Sequence, residues 1–153
     1  VTVAFALTRH FPWRDVLYYV GAQVAGAVLA ALTLRLLVGE NVGVSVTLPG
    51  GSVAQSFGLE VLLTAVLMFV IIAVATDTRA LGSPAAIAIG MTVALDALWA
   101  GPISGASMNP ARSLGPALIA GIWADQWVYW LAPMIGAGIG ASVYQFLRGE
   151  TPV

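Results

Sequence analysis

Of the 153 residues, only 8% are charged and 59% are hydrophobic, where soluble domains average about 25% and 45–50%. So few charges cannot cover a water-facing surface, and the expectation is an integral, multi-pass membrane protein. The net charge of −1, with six scattered arginines as the whole basic complement, excludes a nucleic-acid binder. The lack of cysteine and the single histidine, His10, exclude thiol chemistry and a multi-histidine metal site, and no cofactor or metal is expected.

In chain order, Val1–Leu7 is apolar, too short to cross a bilayer, and followed by the polar Thr8-Arg9-His10; a short half-helix is predicted. Trp13–Val38 is a first full span, interrupted by Gln23 and Arg35. The segment 39–52 is rich in Gly, Ser and Thr and reads as a loop without a base. Val53–Ala75 is a second span, carrying Glu60. Asp77-Thr78-Arg79 and Gly82-Ser83-Pro84 read as a polar turn. Ala85–Ile103 is a third span, carrying Asp96. Trp127–Leu147 is the last, opened by Asp125-Gln126 and ended by Arg148. Placing the end of the last span in the cytoplasm puts Arg9, Arg14, Arg79 and Arg148 inside and Arg35 outside, as the bias of basic residues towards the cytoplasm requires. Trp13, Trp123, Trp127, Trp130, Tyr18, Tyr19 and Tyr129 fall near span ends, where interfacial aromatics are expected. Gly101/Gly105 and Gly136/Gly140 have the four-residue spacing that permits close helix approach.

Chemistry concentrates at Ser104–Pro116, Ser-Gly-Ala-Ser-Met-Asn-Pro-Ala-Arg-Ser-Leu-Gly-Pro. Asn109 suits a helix cap and Pro110 the first helical position, where its missing N–H is no loss. The helix that follows, to about Gly121, is again too short to span, since a span takes roughly 20 apolar residues. A half-helix at membrane depth must be buried in protein or line a water-filled cavity. There its N-terminus presents free donors and positive partial charge. That is the physics of a path for neutral solutes.

The frame Gly101-Pro102-Ile103-Ser104-Gly105-Ala106-Ser107, Asn109-Pro110-Ala111-Arg112 and Ser113-Leu114-Gly115-Pro116-Ala117 resembles the second signature loop of the aquaporins, or major intrinsic proteins. Val1–Ala6 resembles the half-helix after that family's first Asn-Pro-Ala. Gln23, Glu60 and Tyr129-Trp130 with Pro133 resemble polar and aromatic positions of its third, fourth and sixth helices. The resemblance covers the whole chain. It implies an all-α membrane protein with a right-handed bundle, of which this sequence holds four transmembrane helices and two re-entrant half-helices, the two N-terminal spans being absent. Residues 1–153 are then a single channel domain, incomplete at the N-terminus. The expectation is the C-terminal portion of a longer channel, with Asn-Pro-Ala directly before Val1 and no signal peptide in the first residues.

The resemblance further implies roles. Asn109, with Pro110 and Ala111, would form the pore signature, its amide donating to a passing oxygen. Arg112 would sit at an outer constriction, as donor and cation repellent, with Ala97 and Ala106 as two further walls. Two alanines there imply a wider aperture, similar to the nodulin-26-like branch and its bacterial relatives, and make glycerol, urea, ammonia or metalloid hydroxides plausible permeants. Ser113 and Ala117, and Tyr129-Trp130, point back towards water. The expected permeants are therefore water and small uncharged solutes; the expected partners are membrane lipid and further copies in a homotetramer, with a bacterial inner membrane or other cell membrane as location. Glu60 and Gln23 would brace a half-helix. Asp96 either pairs with Arg112 or Arg35 or faces the outer vestibule. His10 reads as a cytoplasmic surface residue.

Three rival classes differ in what they need. A membrane enzyme needs convergent catalytic groups, which the scattered acids and lone His10 do not offer. A gradient-coupled secondary transporter also uses broken helices and intramembrane acids, and would recruit Glu60 and Asp96. A non-conducting fragment would keep its packing and lose flux.

Overall fold

The computed structural model describes residues 1–76 and 84–149. The expected polar turn over 77–83, with Arg79, and Glu150 lie outside the described residues. Among the described residues six α-helices follow one another: α1 (Thr2–Leu7), α2 (Trp13–Val38), α3 (Val53–Thr76), α4 (Pro84–Ser104), α5 (Pro110–Ala120) and α6 (Gln126–Arg148). Four of them, α2, α3, α4 and α6, are long and apolar enough to cross a membrane. The predicted boundaries are met within one or two residues throughout. The 39–52 segment, expected as a loop, differs: Gly39–Ser45 coils into a 3-10 helix before the chain extends.

Local chemistry accounts for the ends. Pro12 is held at φ −73° and ψ 130° just before α2, an extended geometry a proline accepts readily, and Gly39 closes α2 with φ +62°. The Asn109 side chain accepts from the Ala111 and Arg112 N–H groups, Pro110 takes the first helical place, and Gly121 ends α5 in the left-handed region at φ +70°. The 11 residues of α5 reach about 16 Å, roughly half the thickness of a hydrocarbon core.

Packing then decides the arrangement. α3 and α6 form the closest pair, and α5 lies between α2 and α6. Both glycines of the Gly136/Gly140 pair are on that seam: a Cβ on Gly136 would strike the Val61 carbonyl and one on Gly140 the Ala65 carbonyl. In lipid no hydrophobic force drives helices together, so backbone approach of this kind supplies the packing energy. Gly115 does the same for α5 against the Ala27 carbonyl of α2. Gly101 has open space around it, so the expected Gly101/Gly105 pair is not a helix seam; Gly105 instead adopts φ +86° in the loop before α5. The core is built on Leu63, Leu67, Met68, Ile71 and Ile72 of α3, with Ala100, Ala106, Met108, Ala137 and Ala141 against them.

The short helices are tied in by polar side chains. Gln145 of α6 donates to the Thr8 carbonyl at the end of α1 at 3.2 Å. Arg35 donates to the Ile119 carbonyl at 3.1 Å, placing a cation at the negative end of the α5 dipole. Tyr129 departs from its expected place at the interface: it is fully buried, and its hydroxyl donates to the Ser104 carbonyl at 2.6 Å. A tyrosine buried this deeply keeps its polar tip only by finding such a partner.

Candidate functional site

The loop 104–109 is held from behind by one acid. Glu60, wholly buried on α3, accepts through Oε1 from Ser104 Oγ at 2.9 Å and from the Ser107 N–H at 2.8 Å. Its Oε2 accepts from the Met108 N–H at 2.8 Å. These donors reach it because the backbone is bent: Gly105, Ala106 and Met108 have φ +86°, +42° and +53°. Two non-glycine residues in that region store strain, which persists only where the surroundings over-determine it. Glu60 and Tyr129 supply that constraint from two helices. Three donors thus occupy three of the acceptor positions that the two Glu60 oxygens offer.

In front of the loop lies a cavity of about 580 Å³. Gln23, Ala97, Ala106, Asn109, Pro110 and Arg112 all line it, although α2, α4, the loop before α5 and α5 itself contribute them. Val1, which caps α1, lines it too, so the N-terminal ends of both short helices meet one space. Ala111 and Glu60 are not in its lining. Ala111 acts through its backbone, donating to Asn109 Oδ1 at 3.0 Å. With Oδ1 engaged by the helix, the Asn109 side chain keeps its NH₂ donors for the cavity. Gln23 Nε2 donates to Thr2 Oγ1 at 2.7 Å, at the start of α1. Arg112 Nη1 donates to the Ser45 carbonyl at 2.8 Å.

Asp96 takes neither of the courses anticipated for it. It is 5% exposed, its side-chain hydrogen-bonding neighbour is Trp99, and its Oδ2 has no partner among the described residues. Arg112 and Arg35 each donate from Nη1 to a backbone carbonyl, of Ser45 and Ile119. His10 lies outside the cavity and contacts Thr8 Oγ1 at 3.2 Å. Ser45, Ser104 and Gln126 carry contacts that the sequence does not announce, although Ser104 stands in the signature frame and Gln126 opens the last span. Each works through a partner more than 40 residues away, and no local pattern marks such a pairing.

Four helices long and apolar enough to cross a membrane, beside two short ones whose N-termini share one cavity, define an integral membrane protein of the all-helical class. The profile of the family described as Major intrinsic protein matches residues 1–144, and the chain belongs to that family. Among characterised relatives it is similar to the aquaporin NIP1-1 of Oryza sativa subsp. japonica, 55% identical over 149 residues that cover 97% of this chain and 52% of that protein. Nodulin-26 of Glycine max is 52% identical over 97% of this chain and 55% of its own length. The chain thus spans about half the length of the relatives it matches. Its fold is also similar to that of the aquaglyceroporin from Plasmodium falciparum, with a TM-score of 0.77 at 20% identity, covering 98% of this chain and 69% of the other.

Proposed function

We propose that this chain forms the greater part of the wall of a passive pore for water and small neutral solutes, closed to protons and ions. The carrying observation is that Ala97 of α4, Ala106 and Asn109 of the loop before α5, and Arg112 of α5 line one cavity with the capped N-terminus of α5. The amide of Asn109 replaces one hydrogen bond of each passing oxygen, and the helix N-terminus adds positive potential that repels cations and breaks a proton-conducting file. Arg112, held by Ser45, adds a full positive charge and a donor at the outer constriction. Ala97 and Ala106 leave space beside it, favouring solutes broader than water, such as glycerol or a metalloid hydroxide. Glu60 and Gln23 are bracing residues, one behind α5 and one at α1. Residues 1–153 act as a single channel domain whose remaining wall lies outside this chain, in a homotetramer with one pore per protomer. The names of the relatives, aquaporin and aquaglyceroporin, support this class and leave the preferred solute to measurement.

The test is flux in vesicles carrying the protein encoded by the complete reading frame. Solute movement should follow only its own gradient; coupling to a proton or sodium gradient would establish a secondary transporter instead. Ala97→His should narrow the constriction and lower glycerol flux more than water flux, about tenfold against no more than twofold, within the 1–3 kcal/mol that pocket volume commands. Equal loss of both in vesicle-shrinkage assays removes Ala97 from the constriction. Arg112→Val should admit small cations or protons, read as a current or an internal pH change. Unchanged zero conductance, with normal insertion, removes Arg112 as a principal barrier.

A further inference from the structure

Behind the tip of α5 runs a file of three buried hydroxyls. Thr47 Oγ1 lies 2.6 Å from Ser113 Oγ, Ser113 Oγ lies 2.5 Å from Ser107 Oγ, and Ser107 Oγ donates to the Asn109 carbonyl at 3.0 Å. Thr47, Ser113 and Ser107 are 2%, 0% and 5% exposed. A hydroxyl has one proton to give. That of Ser107 goes to the Asn109 carbonyl, so Ser107 accepts from Ser113. The Ser113 proton is thereby committed, so Ser113 accepts from Thr47. Thr47 is the head donor of a one-way chain that ends on the backbone of the residue at the cavity tip.

The same stretch of the outer connection holds the second cavity group. Two residues before Thr47, the Ser45 carbonyl accepts from Arg112 Nη1. The segment is itself fixed: Gln126 Nε2 donates to the Thr47 carbonyl at 2.7 Å, and the Gly50 N–H donates to the Ile103 carbonyl at 2.9 Å. A Cβ on Gly105 would come within 3.2–3.3 Å of Thr47 and would press on it, and the backbone there, at φ +86°, is one that favours glycine. Thr47 does not line the cavity.

We infer that Thr47 is a positioning residue that sets pore selectivity from outside the lining, through the Ser113 and Ser107 hydroxyls to Asn109 and through the adjoining Ser45 carbonyl to Arg112. The inference rests on the channel reading above. Its consequence is that the connection between α2 and α3 tunes discrimination. Removing the head donor leaves the Ser113 oxygen without its incoming proton and frees the chain to reverse, which takes the Ser107 proton off the Asn109 carbonyl, leaves that carbonyl with the Ser113 N–H at 3.2 Å, and loosens the Arg112 seat.

The experiment measures water and glycerol flux in vesicles for the protein from the complete reading frame, normalised to inserted protein, with Thr47→Val, Thr47→Ser, Ser113→Ala and the Thr47→Val/Ser113→Ala double variant. Thr47→Val keeps the shape and removes the hydroxyl. It should raise the glycerol-to-water ratio about fivefold, the factor that one net buried hydrogen bond commands. Ser113→Ala should do the same, and the double variant should add nothing beyond either single change, as expected of residues acting through one chain. Thr47→Ser restores the hydroxyl and should return the ratio to within about twofold of the parent, well inside that factor. Single effects that multiply in the double variant, a Thr47→Val ratio equal to the parent's, or a Thr47→Ser ratio equal to that of Thr47→Val overturns the inference and leaves the channel standing. A parent that conducts neither solute overturns the channel reading, and the inference with it.

Discussion

Glu60→Leu is expected to collapse the loop before α5 and abolish flux. Leucine has similar bulk but accepts no hydrogen bond. The Ser107 and Met108 N–H groups and the Ser104 hydroxyl would be left without acceptors in a buried, low-dielectric setting. Each orphaned buried donor costs about 1–3 kcal/mol, so the loss amounts to several kcal/mol, and it falls on a backbone already bent at Ala106 and Met108. Glu60→Gln should behave as an intermediate. Its carbonyl can keep the two donors now on Oε1, while its NH₂ would face the Met108 N–H, donor against donor. Thermal denaturation in detergent, run beside vesicle flux, checks both. If Glu60→Leu melts with the parent and conducts normally, the clamp is not what holds the loop.

The second large effect separates three glycines of the same helix. Gly140→Ala should destabilise the protein by about 1–3 kcal/mol, the usual range for overpacking, because the added Cβ meets the Ala65 carbonyl, which is backbone and cannot turn aside. Gly136→Ala meets the Val61 carbonyl and should act alike. Gly138→Ala has nothing within 4 Å of its new carbon and should be neutral or stabilise by up to about 1 kcal/mol, the ordinary helical advantage of alanine over glycine. Resistance to unfolding by denaturing detergent ranks the three. A Gly140→Ala protein as stable as Gly138→Ala would show that α3 and α6 are not packed backbone to backbone.

Much of the architecture was legible because membrane insertion writes itself into local composition. An apolar run of sufficient length must become a helix, since lipid offers its backbone no other partner. The four spans therefore emerged with ends correct to a residue or two, and the break at Asn109-Pro110 marked α5 through capping chemistry that needs no tertiary contact. The short 3-10 helix at Gly39–Ser45 was missed because Gly, Asn and Ser favour turns and loops equally, and nothing in their order selects a helical turn. Tyr129 was misplaced for a different reason. Position near a span end is equally compatible with an interfacial ring and with a buried one, and only the Ser104 carbonyl opposite decides between them.

Composition and spacing alone therefore determined that this protein lives in a bilayer, how many times the described helices can cross it, and where one of them stops halfway. Those properties follow from each segment's own contest between lipid and water. The tertiary structure decided the facing partners: Glu60 behind Ser107 and Met108, Ser45 under Arg112, and Gly140 against Ala65. Such pairings join groups far apart in the chain, and their energies depend on distance and angle in the folded state, which no residue order specifies until the helices have packed.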